Sequence, residues 1–324
     1  MFTKLFRRPA YAGAALIITF SLQSIPAQAC SSCGCTLNSE WSSQGYSVSS
    51  GVRVDLREDY YDQAQLRSGM HTVDRAALEI PSEQEVQQHT LNRNTIVGID
   101  YTPSRTWGLN VAIPYFNRYH TTIGEADTDV STSHTKGVGD IRITTRYQGF
   151  STDLSWGVQL GLKLPTGKAD EKFIDGPLTG EMVDRGLQHG TGTTDLIIGV
   201  YNFGNLNTRL GYFIQVTAQA AFNSHDDFKP GHGLNINAGL RFLQAGRWSP
   251  QLQLNARFEG RESGSESDRD NSGATLVYVS PGTTLQVNSA LQLYGFLQWP
   301  VHQRVNGLQL QPVRFFSAGA QYKF

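Results

Sequence analysis

The residues best suited to chemistry stand near the start of the chain, where Cys30-Ser31-Ser32-Cys33-Gly34-Cys35 gathers all three cysteines of the protein into one short stretch. Thiolates at this spacing can hold copper(I) or another soft metal ion. In an oxidising compartment the same residues can form one local disulfide and leave the third cysteine free, lipidated or paired with another chain, because three cysteines cannot all pair within one chain. Both readings stay open, and apart from a soft metal ion at Cys30, Cys33 and Cys35 no cofactor is expected.

The eight histidines, His71, His89, His120, His134, His189, His225, His232 and His302, fall in or beside stretches that read as loops. None has the His-Glu-x-x-His spacing of a helical metal motif, so exposed loop residues describe them better than a zinc or copper site. Glu125, Asp127 and Asp129, or Glu266, Asp268 and Asp270, lack the glycine and terminal Glu of an EF-hand and read as solvated charge. Gly167-Lys168 looks like the end of a phosphate loop, but Gly161 is one residue too far away and Ala169 stands where Ser or Thr must meet magnesium. No nucleotide site and no catalytic residues are expected, although a barrel enzyme stays among the alternatives.

The elements that must position these residues are announced by the two ends of the chain. Lys4, Arg7 and Arg8 precede the apolar stretch from Tyr11 to Leu22, and Ala27-Gln28-Ala29 satisfies the small-x-small rule, so residues 1–29 read as a signal peptide with Cys30 as the first mature residue. Gln28, and the lack of a leucine at position 27, fit a lipobox poorly. No later run of about 18 apolar residues exists, so a membrane would have to be crossed by strands. At the other end Phe316, Ala318, Ala320, Tyr322 and Phe324 share one face of an extended segment, with Ser317, Gln321 and Lys323 on the other. This ending resembles the C-terminal signal of bacterial outer-membrane barrels.

Between the ends, twelve segments alternate with period two. The first runs from Gly45 to Tyr60. The third sets Trp107, Leu109, Val111, Ile113 and Tyr115 on one face, with aromatic residues near both ends as expected for interfacial girdles. The fifth opposes Trp156, Val158, Leu160 and Leu162 to Gln159 and Lys163, and the ninth opposes Leu252, Leu254, Ala256 and Phe258 to Gln251, Gln253, Asn255 and Arg257. Connections alternate in length. Short ones are read at Pro103 to Arg105, Gln148 to Thr152, Gly204 to Asn207, Gln244 to Pro250 and Ser280 to Thr283. Long ones are read at Tyr61 to Thr90, Arg118 to Lys136, Pro165 to Thr193, Phe222 to His232, Gly260 to Ser272 and Pro300 to Pro312.

The fold class that follows is all-β: a transmembrane antiparallel β-barrel of about 12 strands over residues 45–324, with both termini periplasmic. Residues 30–44 form a periplasmic segment or, being too polar for a helical anchor, a plug in the lumen. A soluble β-sandwich is the competing fold, but its strands are typically about 5 to 6 residues long, against about 9 to 11 for a barrel in lipid. The formal net charge of −1 argues against a nucleic-acid partner. The partners expected are outer-membrane lipid, the barrel-assembly machinery and a small-molecule solute.

The alternation turns a set of charges inward. Arg53, Arg57, Arg142, Arg146, Lys163, Arg209, Arg241 and Arg257 face the lumen against fewer acids, chiefly Asp55, Asp100 and Asp140. Either the pore wall is net positive, or acids and bases pair across strands to fill a narrow lumen.

Three stretches, Gly137-Val138-Gly139-Asp140-Ile141, Gly161-Leu162-Lys163-Leu164-Pro165-Thr166-Gly167 and Gly190-Thr191-Gly192-Thr193-Thr194-Asp195-Leu196, carry a family resemblance. From about Asn94 to Phe324 the chain resembles the outer-membrane family named after the meta-pathway of phenol degradation, more distantly like the long-chain fatty acid transporters. The resemblance implies a transport-type barrel for small, often apolar or aromatic compounds and supplies no catalytic residues. Read as residues alone, these motifs are strand starts, bends and ends. The function expected is an outer-membrane channel or transporter for small organic solutes, aromatic or anionic ones among them. The alternatives are a metal-linked accessory protein that uses the cysteine segment, and a barrel enzyme.

Overall fold

The computed structural model describes residues 37, 41, 43–45, 50–243 and 246–324. The signal-peptide stretch and Cys30, Cys33 and Cys35 lie outside the described residues. No helix among the described residues is long and apolar enough to cross a membrane.

The strands are β1 (Gly51–Gly69), β2 (His71–Thr72), β3 (Val86–Thr102), β4 (Trp107–Ile123), β5 (Val130–Val138), β6 (Ile141–Tyr147), β7 (Trp156–Leu164), β8 (Asp195–Asn205), β9 (Leu210–Ala221), β10 (Gly233–Phe242), β11 (Trp248–Glu259), β12 (Ala274–Gln286) and β13 (Leu291–Lys323). Each pairs antiparallel with its neighbour, and β13 pairs with β1 to close the sheet, so no long edge is left to aggregate. β5 and β6 pair with successive halves of β4 and make one crossing of the wall. β13 makes two. It lies along β12 up to Val305, turns at Gly307 with φ of +55°, and returns along β1 until the Lys323 amide donates to the Ala290 carbonyl at 2.8 Å. With β2 only a two-residue return on β1, the wall has twelve crossings.

The polarity is inside out. Leu160 is 57% exposed and Trp156 54%, while between and beside them Gln159 and Lys163 are buried. Leu252 and Leu254 point outward, with Gln251, Gln253 and Asn255 enclosed. An antiparallel sheet puts alternate side chains on opposite faces, and only a lipid exterior makes the apolar face the outer one. Tyr322 and Phe324, close in the T-shaped arrangement of rings 4.9 Å apart, end the apolar band at the same rim as the start of β1.

Several boundaries differ from those the sequence suggested. The first strand begins at Gly51, and Gly45 instead lies inside against Phe203. Ser280 to Thr283 lies within β12, the real turn following Gln286. Pro300 to Pro312 is paired wall rather than loop, and β1 and β4 run on to Gly69 and Ile123. Apolar alternation reports contact with lipid, whereas pairing continues above the membrane because backbone N–H and C=O groups still need partners.

One side of the interior is filled. Tyr61, Leu276, Tyr278, Val305 and Phe315 pack together, with Tyr278 and Phe315 edge to face at 5.2 Å. Nearby Leu37 and Trp41 pack on Tyr294 and Phe296, so the segment ahead of β1 enters the barrel. Trp41 Nε1 donates to Asp55 Oδ1 at 3.3 Å and Gln251 Nε2 donates to Gln44 Oε1 at 2.8 Å.

Candidate functional site

The other side of the interior is open. A cavity of 490 Å3 runs between β1, β3, β4, β6, β7 and the strands facing them, and its walls are supplied by the inward positions of those strands. Arg53, Asp55, Arg57, Asp100, Asp140, Arg142, Lys163 and Arg257 line it, eight of the eleven charged residues that alternation turned inward. Arg146 is buried just outside the cavity, bonded to Asp100. Arg241 reaches the inserted segment and donates to the Gln44 carbonyl at 3.1 Å. Arg209 is a correction: it stands exposed in the turn before β9, because the strand begins one residue later, at Leu210.

Most of these charges are locked together. Arg53 NH1 meets Asp100 Oδ1 at 3.0 Å, and Arg146 meets both oxygens of the same carboxylate. Lys163 Nζ lies 3.1 Å from both Asp140 Oδ2 and Asp195 Oδ1. Arg57 pairs with Asp59 on its own strand at 3.0 Å, as Arg257 does with Glu259. Adding Asp59, Asp195, Glu259 and Glu262 to the acids and Arg118 and Arg185 to the cations leaves seven of each around the cavity. The net-positive wall is therefore not found. Of the acids that sequence reading missed, Asp195, Glu259 and Glu262 sit at strand ends or in a loop, where alternation of apolar residues gives no signal, whereas Asp59 is an inward position within β1.

The three motifs that carried the family resemblance meet at one point. Asp140 accepts from the Gly167 and Thr191 amides, each at 3.0 Å, while Thr166 Oγ1 receives the Ile141 amide and donates to the Gly139 carbonyl. Gly167 and Gly190 press backbone to backbone: a Cβ on Gly190 would stand 2.5 Å from the Gly167 carbonyl oxygen. This knot anchors both ends of the segment between β7 and β8, which folds inward so that Phe173, Val183 and Leu187 form a small core above the cavity.

Two histidines depart from the exposed reading. His120 is fully buried, its Nδ1 2.8 Å from Thr90 Oγ1, and His189 is buried beside Phe116. Burial, with Arg118 and Lys168 nearby, pushes His189 down to about 4, so it is neutral at ordinary pH. Among the described residues no group of His, Cys, Asp or Glu could hold a metal ion.

A buried cluster of acids lies outside the strands, in the loops over the cavity. Asp184 and Asp268 belong to it together with Glu85 and Glu262. Burial first, and then the charges of Glu262, Asp268 and Glu85, hold Asp184 well above the usual carboxylate range, and burial pushes Asp268 up to about 7. The solvated-charge reading thus fails for Asp268, because the loop that carries it folds against the other loops.

No protein-family model matches the chain, and no curated protein matches it. Among solved structures, an outer membrane channel from Pseudomonas putida F1 is similar over 86% of this chain and 97% of its own, with 12% identity and a TM-score of 0.63. The CymD monoaromatic hydrocarbon channel (7% identity, 85% and 89% covered, TM-score 0.46) and the Ralstonia pickettii toluene transporter TbuX (8%, 85% and 90%, 0.46) are more distant barrels. At such identities the likeness speaks for the fold, and the fold is that of an outer-membrane β-barrel.

Proposed function

We propose that this chain is a non-catalytic channel for small organic solutes across the outer membrane of a Gram-negative bacterium, of the phenol meta-pathway type that its motifs resemble. The observation that carries the reading is the closed, inside-out barrel around a cavity of 490 Å3, of the size that encloses a small organic molecule. The polar wall keeps solvent in the lumen, and the loops folded over the cavity narrow its entrance.

The start of β1 and the end of β13 lie at the end with the short turns, which in this reading is the periplasmic end. Cysteines introduced at Gly176 and Gly264 in the long loops react with an impermeant maleimide on intact cells, and one at Ser289 in the short turn after β12 does not. The converse labelling overturns the orientation. For the function itself, purified protein in liposomes passes neutral aromatic alcohols faster than empty liposomes, and passes a trisaccharide no faster. Absence of any flux with assembled barrel defeats the channel reading.

A further inference from the structure

Where β3 and β4 face the cavity, its wall carries a compact apolar block of small residues. Ile96 and Gly98 of β3 stand opposite Pro114 and Ala112 of β4, Ile96 with Pro114 and Gly98 with Ala112, and all four line the cavity. With strands about 4.8 Å apart and same-face residues about 7 Å apart along a strand, the block has about the dimensions of one aromatic ring. Gly98 and Ala112 bring little bulk of their own, and the side chain nearest a Cβ on Gly98 would be Asp55, at 3.5 Å.

Guanidinium groups stand on both sides of the block, and the carboxylate beside it, Asp55 opposite Gly98, already accepts from Trp41 Nε1 at 3.3 Å and Tyr294 OH at 2.8 Å. Arg57 of β1 is paired in register with Ile96, and Arg142 of β6 with Ala112. Arg257 enters from β11 across the lumen, and Arg57 and Arg257 both lie within electrostatic reach of Arg142. Those two are neutralised on their own strands, by Asp59 and Glu259. Arg142 differs. Among the described residues it has no hydrogen bond and no ion pair, although it is enclosed by the barrel and exposed to the cavity.

The acids nearest to Arg142 have their oxygens engaged elsewhere. Asp140 receives the Gly167 and Thr191 amides and Lys163, and Asp195 receives Thr193 Oγ1 at 2.7 Å, Gln219 Nε2 at 2.6 Å and Lys163. Five N–H donors of a permanent cation are thus left facing solvent beside an apolar, ring-sized wall. With Arg57 and Arg257 already neutralised on their own strands, Arg142 is a guanidinium whose donors a visiting anion can take.

We propose that Arg142 and the block Ile96, Gly98, Ala112 and Pro114 form a binding site in the lumen for a small aromatic carboxylate. The ring lies on the apolar block and the carboxylate takes the Arg142 fork, with Arg57 and Arg257 adding attraction. An inorganic anion would use the charge and leave the apolar wall without an occupant. The proposal rests on the channel reading above and narrows it to a substrate class.

The test uses the full-length barrel in liposomes, with benzoate, acetate and benzyl alcohol as probes. Benzoate flux saturates and exceeds acetate flux, and the ratio of benzoate to benzyl alcohol flux falls about tenfold or more in Arg142→Gln, the loss expected for a charge-assisted pair. Ala112→Phe, which fills the wall and keeps the charge, lowers benzoate flux more than acetate flux. If Arg142→Gln does not assemble, Arg142→Lys keeps the charge without the fork and shows a smaller fall in the same ratio. An unchanged ratio in an assembled Arg142 variant overturns the site while benzyl alcohol flux still supports the channel. Equal losses of benzoate and acetate reduce the site to simple anion attraction and overturn the aromatic part. No flux of any probe defeats the channel reading itself.

Discussion

The middle of the lumen and the loops above it use the same residue types to opposite effect. In the middle, Asp100 sits between Arg53 and Arg146, and Lys163 sits between Asp140 and Asp195. Each of these carboxylates is held by cations or amides from other strands or from the segment between β7 and β8, so the charges brace the wall. In the loops, Asp184 and Asp268 are as deeply buried, yet one oxygen of each has no hydrogen-bond partner, and further acids surround them. The difference teaches that burial alone does not decide what a carboxylate does. A partnered one braces its neighbours, and a crowded one, as Asp184 and Asp268 are, takes up a proton more readily.

The largest effect expected from this contrast is in the middle. Asp100→Asn leaves Arg53 and Arg146 facing each other without an acid between them, and breaking a buried pair in this way costs about 3–5 kcal/mol. The measurement is the urea midpoint of the heat-modifiable folded band in detergent. A loss under about 1 kcal/mol would show that the network is solvated and does not brace the wall.

Next comes the acid cluster in the loops. Asp184→Asn removes a charge that repels its neighbours, so the change has the opposite sign: the loop over the cavity becomes better ordered, and protease cleavage between Lys172 and Arg185 at about pH 8 slows. Faster cleavage in the variant would mean that the Asp184 charge is held by a partner, and the contrast with Asp100 would collapse.

The wild-type loops should carry the same signature in their pH dependence. Folded Asp268 and Asp184 bind protons more tightly than an unfolded aspartate near about 3.9, so the folded loops are favoured when these groups are protonated. That contribution is complete below about pH 4 and is lost as pH rises through about 7. Amide exchange in residues 173–187 and 260–273, corrected for its intrinsic pH dependence, should show more protection at about pH 5 than at about pH 8, with the strands unchanged. Protection that increases with pH contradicts the reading.

The smallest effect is expected at Arg209. Exposed in a turn and outside both regions, its replacement by alanine should change stability by less than about 0.5 kcal/mol and leave solute flux as it was. A clear loss of flux would return Arg209 to the pore wall.

The barrel, a count of about twelve strands and the lipid face of the clearly alternating ones could be read from the order of residues. Period two fixes the face of every side chain on a strand once the apolar set is known, and Leu160, Leu252 and Phe316 declare that set by type alone. Where the outer ends become polar on both faces, as beyond Tyr61 and beyond Pro300, that signal vanishes and pairing that is present in the structure was invisible.

Partnership among the inward charges belongs to tertiary structure. Arg53, Arg57 and Arg142 are alike in sequence, each an inward arginine on a strand, but Asp100 lies opposite Arg53 in register, Asp59 lies two residues along from Arg57, and Ala112 lies opposite Arg142. Cross-strand register and the infolding of distant loops assign these neighbours, and neither can be computed from alternation along one strand. For the same reason His120, His189 and Asp268 looked solvated until the segments that bury them were in place. The sequence by itself determined the lipid and lumen faces of the clearly alternating strands, and only the closed barrel decided which of the inward charges has a partner, because ion pairing depends on distances of a few ångströms between residues far apart in the chain.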